Sequence, residues 1–256
     1  MPDPYISITD FMTRGQVLEM LRVLIAAQSV RMSHRLGVGV MMSRKTLNGL
    51  KTKWTDAFPG NEEVAGIFVD HPLALNTLHY ADFKGINVAS NLERATMFGG
   101  PCMRALQLDM IWPDSQVLID YRTRHPQIKI ILQVNTRSLE QVGNDPRQLL
   151  RVLRAYSSTV DYVLLDKSMG SGEGMKAEVL LPFVEAVATH RPDLGIVVAG
   201  GLGPETMHLA APIVDCFPRI SFCAQGQMRA SGSALDPIDW DRAGEYLRQS
   251  VALLRR

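Results

Sequence analysis

The chain of 256 residues is poor in the features that usually betray a special chemistry. Cysteine occurs three times, at Cys102, Cys216 and Cys223. The odd count and wide spacing match neither a zinc pattern nor a disulfide framework, and a reducing cytosol is the simplest expectation. Charge of one sign is also lacking. Lys plus Arg number 27 and Asp plus Glu 26, for a net charge of +1. Such a balance builds no field for nucleic acid or an anionic membrane, so a charged ligand must be recognised locally. No run of eighteen apolar residues occurs, which excludes a helical membrane span of ordinary length. The N-terminal MPDPYISITDF lacks the basic-then-apolar layout of a signal peptide. The six histidines are scattered without H-x-x-x-H spacing, and no carboxylate cluster points to a metal. Neither metal nor cofactor is expected.

What is present is alternation. Short apolar runs rich in Val, Ile and Leu stand at 5–9, 36–42, 64–69, 105–108, 128–134, 160–165, 195–199 and 220–224. Many are apolar on both faces, as in strands of a buried parallel sheet. Helical patterns fall between them, at 14–31, 114–124, 145–156, 176–190, 204–211 and 239–254. Two begin on an Asp N-cap, and Pro146 suits the first helical position after Asp145. The stretch 71–103 is read as a helix over 72–83 and then an extended loop with a short extra helix. Eight strands alternating with helices predict a closed barrel or a doubly wound open sheet. The length favours a single (β/α)8 TIM barrel over 1–256, and no strand leads into G-x-G-x-x-G at the first turn.

In such a barrel, reactive side chains stand at the C-terminal ends of the strands. The first strand ends in Asp10, which alternation places on one face with Ile6 and Ile8. The sixth ends in Asp166. Two acids converging on the barrel mouth could share general-acid and general-base work; each could instead cap a helix or pair with an arginine. After Asp166 comes KSMGSGEGMK, in which Gly172 and Gly174 let peptide N–H groups approach an anion. The seventh strand leads into AGGLGPET, with Gly200 and Gly201 before a helix, and the eighth into CAQGQ, with Gly226. Bare N–H groups at a helix N-terminus suit phosphate, and these two loops are where barrels frequently hold it. Arg44, after the second strand, could hold a carboxylate bidentately. Gln107 and Asp109 share a face at the end of the fourth strand and are candidate substrate contacts. Cys223 reads as a small buried residue rather than a nucleophile.

These segments, in order, resemble phosphoribosylanthranilate isomerase of tryptophan biosynthesis. ITDFMTR (8–14) stands where that family has K-I-C-G-L-T-R, and Ser43-Arg44 matches S-P-R loosely. VAGIFVDHP (64–72) resembles its third strand and LQLD (106–109) its Q-L-H-G. VDYVLLD (160–166) with GSGEGMKAEVL resembles L-L-L-D and G-G-T-G-K-x-F-D-W. AGGLGPETM (199–207) is close to A-G-G-L-N-P-E-N-V, and FCAQGQM stands at its D-V-S-S-G-V-E. The resemblance implies a (β/α)8 fold, a small phosphorylated metabolite as partner, and an Amadori-type aldose–ketose isomerisation. In the family a Cys on strand one and an Asp on strand six move the protons. Asp166 matches the Asp, and Asp10 replaces the Cys, as in the similar histidine-pathway isomerase with two Asp. The strand-eight Asp falls at Phe222, the following Glu at Met228, and the first-motif Lys at Ile8. The phosphate segments are kept and the contacts to the aromatic part are changed. This implies an isomerase of a different phosphorylated sugar or amino-sugar. A barrel that binds a phosphorylated metabolite or a partner protein without turnover, and a lyase or aldolase, are the alternatives.

Overall fold

The structure, a computed structural model, describes residues 1–28, 32–167 and 174–255. Eight parallel strands close a barrel in sequence order. They are β1 (Tyr5–Thr9), β2 (Arg35–Ser43), β3 (Ala74–Ala81), β4 (Ala105–Asp109), β5 (Lys129–Asn135), β6 (Tyr162–Asp166), β7 (Gly195–Ala199) and β8 (Ser221–Ala224). The β1–β8 pairing of Ile6 with Phe222 through Ile8 with Ala224 seals the ring. This is the expected α/β fold.

Alternation along each strand divides the core in two. Ile6, Ile8, Val38, Val40, Leu106 and Leu108 join the large apolar layer under the helices. Tyr5, Leu75, Ala105, Ile131, Tyr162, Leu164, Val197, Ala199 and Cys223 form a separate cluster inside the barrel. The two tyrosines meet edge-on at 5.2 Å. Glycine makes room for this interior. A Cβ on Gly195 would stand 2.3 Å from the Tyr162 ring, and one on Gly37 would stand 2.6 Å from Ser7 Cβ.

The third strand departs from expectation. The apolar run at 64–69 is mostly a short helix, Val64–Ile67, and the strand is Ala74–Ala81, where a helix was expected. The likeness of VAGIFVDHP to the isomerase family's third strand therefore has no counterpart in the barrel. A short apolar run does not distinguish a strand from a buried helical turn. The true strand was disguised by its polar residues Asn76, Thr77 and His79: Asn76 donates to the carbonyls of Val69 and Cys102, Thr77 to that of Leu75, and His79 lies against Gln107 of the next strand. The stretch 85–100, expected as an extended loop with a short extra helix, is largely the helix Val88–Gly99. Elsewhere the two expected caps are present: Asp114 and Asp145 accept from the first-turn N–H groups of the helices Ser115–Arg124 and Pro146–Leu153, and Asp239 does the same for Trp240–Leu254. Among the described residues, no helix is long and apolar enough to cross a membrane.

Candidate functional site

A cavity of about 90 Å³ opens at the C-terminal end of the barrel. Its floor is built by inward positions of the strands: Thr9 from β1, His79 from β3, Gln107 from β4, Gln133 from β5, Leu164 and Asp166 from β6, and Cys223 from β8. Its rim is Gly200, Gly201 and Leu202 after β7, and Gln225, Gly226 and Gln227 after β8. The enclosed part suits a phosphate-sized group with a few more heavy atoms, and is smaller than a pocket for a drug-sized ligand.

The rim places together three glycines expected to hold an anion. Gly200 and Gly201 have φ of 103° and 66°, a backbone that L side chains rarely adopt. Gly203, next in the loop, lies against the neighbouring loop, since a Cβ there would stand 2.5 Å from Gln227 Cβ. The N–H groups of Gly201 and Gly226 donate to no backbone carbonyl among the described residues. Gly174 is not part of the cavity wall; it packs beneath Leu209 and Thr206. Gly172 lies outside the described residues.

The two strand-end acids take different places. Asp166 is in the cavity wall. Asp10 does not share the cavity-facing side with Ile6 and Ile8 as expected, because those two face the helices and Thr9 faces the cavity. Asp10 turns instead with φ of 81°. Its carboxylate accepts from Gln225 Nε2 at 3.1 and 2.9 Å and from Arg229 Nη2 at 2.5 Å. Both partners of this ion pair are nearly sealed, at 3% and 4% side-chain exposure. Burial pushes the Asp10 carboxyl upward, opposed by the Arg229 guanidinium and the Gln225 amide. Asp10 thus stands one hydrogen bond behind the cavity wall, holding Gln225.

A third acid stands within reach of the Asp166 charge. Asp109 ends β4 two residues beyond Gln107; it is not among the described residues that line the cavity, and it accepts from Asn135 at 3.1 Å. Asn135 in turn is the register partner of Asp166. Burial pushes the Asp109 carboxyl up to about 6, with the Asn135 hydrogen bond lowering it and the charge of Asp166 raising it further. Gln107 donates to Gln133 Oε1 at 2.8 Å and lies 3.3 Å from His79 Nδ1. Burial alone takes His79 down to about 4, so it is neutral at pH 7. Arg44 is not in the cavity. It opens the helix Arg44–Leu47 and pairs with the buried Asp82 at 3.4 Å, which answers its charge there.

His79, Gln133, Gln225 and Arg229 were not singled out from the sequence. His79 and Gln133 carried no signal while β3 was displaced and the register of β5 was open. Gln225 stood beside Gly226 in the CAQGQ segment, but nothing local revealed its tie to a residue 215 positions away. Among the described residues, no group of three or more His, Cys, Asp or Glu is placed to hold a metal ion.

No protein-family model matches the chain, and no curated protein matches it. Solved structures with the same fold do. The catalytic domain of a hyperthermophilic chitinase from Pyrococcus furiosus is 12% identical with TM-score 0.57, covering 99% of this chain and 96% of that one. The endo-β1,6-glucanase BT3312 is 9% identical with TM-score 0.52, covering 88% of this chain and 66% of that one. An octameric ribulose-1,5-bisphosphate carboxylase/oxygenase from Pyrococcus horikoshii, in complex with sulfate, is 12% identical with TM-score 0.50, covering 98% of this chain and 63% of that one. At these identities the likeness establishes the barrel architecture and leaves the chemistry to the site.

Proposed function

We propose that this barrel is an aldose–ketose isomerase acting on a phosphorylated sugar or amino-sugar. The observation that carries the reading is that Asp166 and the peptide groups of Gly200, Gly201 and Gly226 line one cavity. A phosphate at the glycine rim leaves the reacting carbons facing Asp166. Remote binding energy from the phosphate orients them.

Asp166 and Asp109 divide the proton transfers. Asp109, outside the cavity lining and within reach of the Asp166 charge, has its carboxyl near 6; it holds a proton part of the time at neutral pH and delivers it through a bridging water to the ring oxygen as the ring C–O bond opens. The Asp166 carboxylate removes the C2 proton; that electron pair forms the C1–C2 double bond while the C1 carbonyl or imine pair moves onto its oxygen or nitrogen, which takes a proton, giving the enediol or enolamine. Protonation at C1 with loss of the C2 hydroxyl proton completes the ketose. Asp10 acts through Gln225 as a positioning residue, since Gln225 and Arg229 occupy its oxygens.

The test is incubation with ribose 5-phosphate and glucosamine 6-phosphate in heavy water, followed by proton NMR. Ketose product, or deuterium at C2, is the expected result and should vanish in Asp166→Asn. Absence of both for the wild-type chain removes the isomerase. One observation favours a second reading, a barrel that binds a phosphorylated metabolite without turnover: the strand-one acid is neutralised by Arg229. Phosphate-ligand binding without product or exchange is the outcome that selects it.

A further inference from the structure

The far end of the cavity says what the ligand carries besides its anionic group. Three side chains from adjacent strands meet there: His79, Gln107 and Gln133, all buried. The hydrogen bonds among them divide their capacity unevenly. Both hydrogens of Gln107 Nε2 are committed, one to Gln133 Oε1 at 2.8 Å and one to the His79 ring at 3.3 Å. Gln107 Oε1 is therefore left as an acceptor. Gln133 Oε1 is taken, which leaves its Nε2 hydrogens as donors. Among the described residues neither free atom has a protein partner, and neither is sealed from the cavity. The floor thus presents an acceptor and a donor side by side, with the Asp166 carboxylate on the adjoining wall.

Charge completes the picture. No lysine or arginine is among the described residues lining this cavity. His79 is neutral because burial disfavours its imidazolium. Arg44, the one cation expected to hold a carboxylate, is spent on Asp82 outside the cavity. A carboxylate on the ligand's inner end would meet the Gln107 Oε1 acceptor, with no Lys or Arg among the described lining residues to answer its charge, and an unpaired buried charge is expensive. A hydroxyl is both donor and acceptor and answers the Gln107–Gln133 pair. An amine answers Gln107 Oε1.

We propose that Gln107 and Gln133, braced by His79, are specificity-determining residues that select a phosphorylated ligand whose inner end is neutral or cationic, a hydroxyl- or amine-bearing sugar, and reject one that bears a carboxylate. This rests on the anion-cradle reading of the glycine rim given above, and goes beyond it by naming the class of the other end.

Binding to the full chain is measured by calorimetry with four probes: inorganic phosphate, ribose 5-phosphate, glucosamine 6-phosphate and 6-phosphogluconate. The two sugar phosphates should bind at least tenfold more tightly than inorganic phosphate, and 6-phosphogluconate no more tightly than inorganic phosphate. Gln133→Leu should erase most of the sugar advantage while leaving the affinity for inorganic phosphate within about twofold. Should that variant not fold, Gln133→Met retains the length of the side chain without its donors and serves the same comparison. If inorganic phosphate does not bind, the anion cradle falls and takes this inference with it. If inorganic phosphate binds and 6-phosphogluconate matches the sugars, or the Gln133 variants keep the sugar advantage, the specificity proposal alone is overturned.

Discussion

Arg229 Nη2 and Asp10 Oδ2 lie 2.5 Å apart, in an ion pair almost closed to solvent, and so fasten the loop after β8 to the end of β1. Arg229 also donates to the carbonyls of Gln225 and Asp236. Removing one partner strands a buried charge, whereas removing both does not. Arg229→Ala should therefore cost about 3–5 kcal/mol of stability. The double change Asp10→Asn with Arg229→Met should recover a large part of it. Urea denaturation of the wild type, both single variants and the double variant measures the coupling. Additive single effects would show that the pair contributes nothing jointly.

Asp166→Asn should lower kcat by two to four orders of magnitude, the usual scale for a lost general acid or base, about 10²–10⁴. Binding of inorganic phosphate should change little. Asp109→Asn should also lower kcat strongly and should remove the limb of the pH–rate profile near 6, whereas Asp10→Asn should keep that limb. Steady-state kinetics between pH 4.5 and 8.5 separates the three. Retention of the limb in Asp109→Asn would exclude that carboxyl as its source.

Asp109 and His79 give stability opposite dependences on pH. The carboxyl of Asp109 sits at about 6 in the fold, above its unfolded value of about 3.9. The folded state then holds more protons between these values, and its stability contribution is full below about 4 and lost as pH rises through 6. His79 is lowered to about 4, against about 6.5 unfolded. Its contribution is present above 6.5 and lost as pH falls toward 4. Asp109→Asn should thus stabilise the protein at pH 7 by about 2 kcal/mol relative to its effect at pH 4. His79→Gln should flatten the loss between pH 6.5 and 4 by about 3 kcal/mol. Denaturation midpoints across this range test both signs.

The glycine rim can be filled without breaking the fold. A Cβ on Gly226 would meet only the Gly232 carbonyl oxygen, at an ordinary 3.6 Å. Gly226→Val should leave the melting temperature within a few degrees and weaken inorganic phosphate at least tenfold by occupying the rim. Undiminished phosphate affinity in a folded Gly226→Val protein would place the anion elsewhere.

Inside the barrel, Gly37 and Ser7 are register partners with no space between them. Gly37→Ala should destabilise by about 1–3 kcal/mol through overpacking. Adding Ser7→Gly should relieve the contact. Thermal unfolding of the two variants measures the relief.

Much of the fold was legible because its cause is local. Seven of eight strands stood as short apolar runs near their observed positions, and Asp114 and Asp145 marked helix starts through caps that need only neighbouring residues. β3 was hidden because its buried polar residues find partners on the neighbouring strand and loop: Asn76 on Cys102, 26 positions on, and His79 on Gln107, 28 positions on. The rim of the site was legible for the same local reason. Paired glycines after a strand announce a backbone conformation whatever surrounds them, and Asp166 closes its strand as a lone charge after four apolar or aromatic residues.

What the chain dictated by itself was periodicity, which sets strand and helix, and the glycine-bearing turns, which set where bare peptide groups gather. Only closure of the ring decided which strand-end side chains meet. It turned Asp10 toward Arg229 and away from the cavity, set Asp109 beside Asn135, and brought His79, Gln107 and Gln133 together. The reason is physical: hydrogen bonds and ion pairs in a buried site are formed between residues separated by 26 to 219 positions, and their existence depends on barrel register, which no local stretch of sequence encodes.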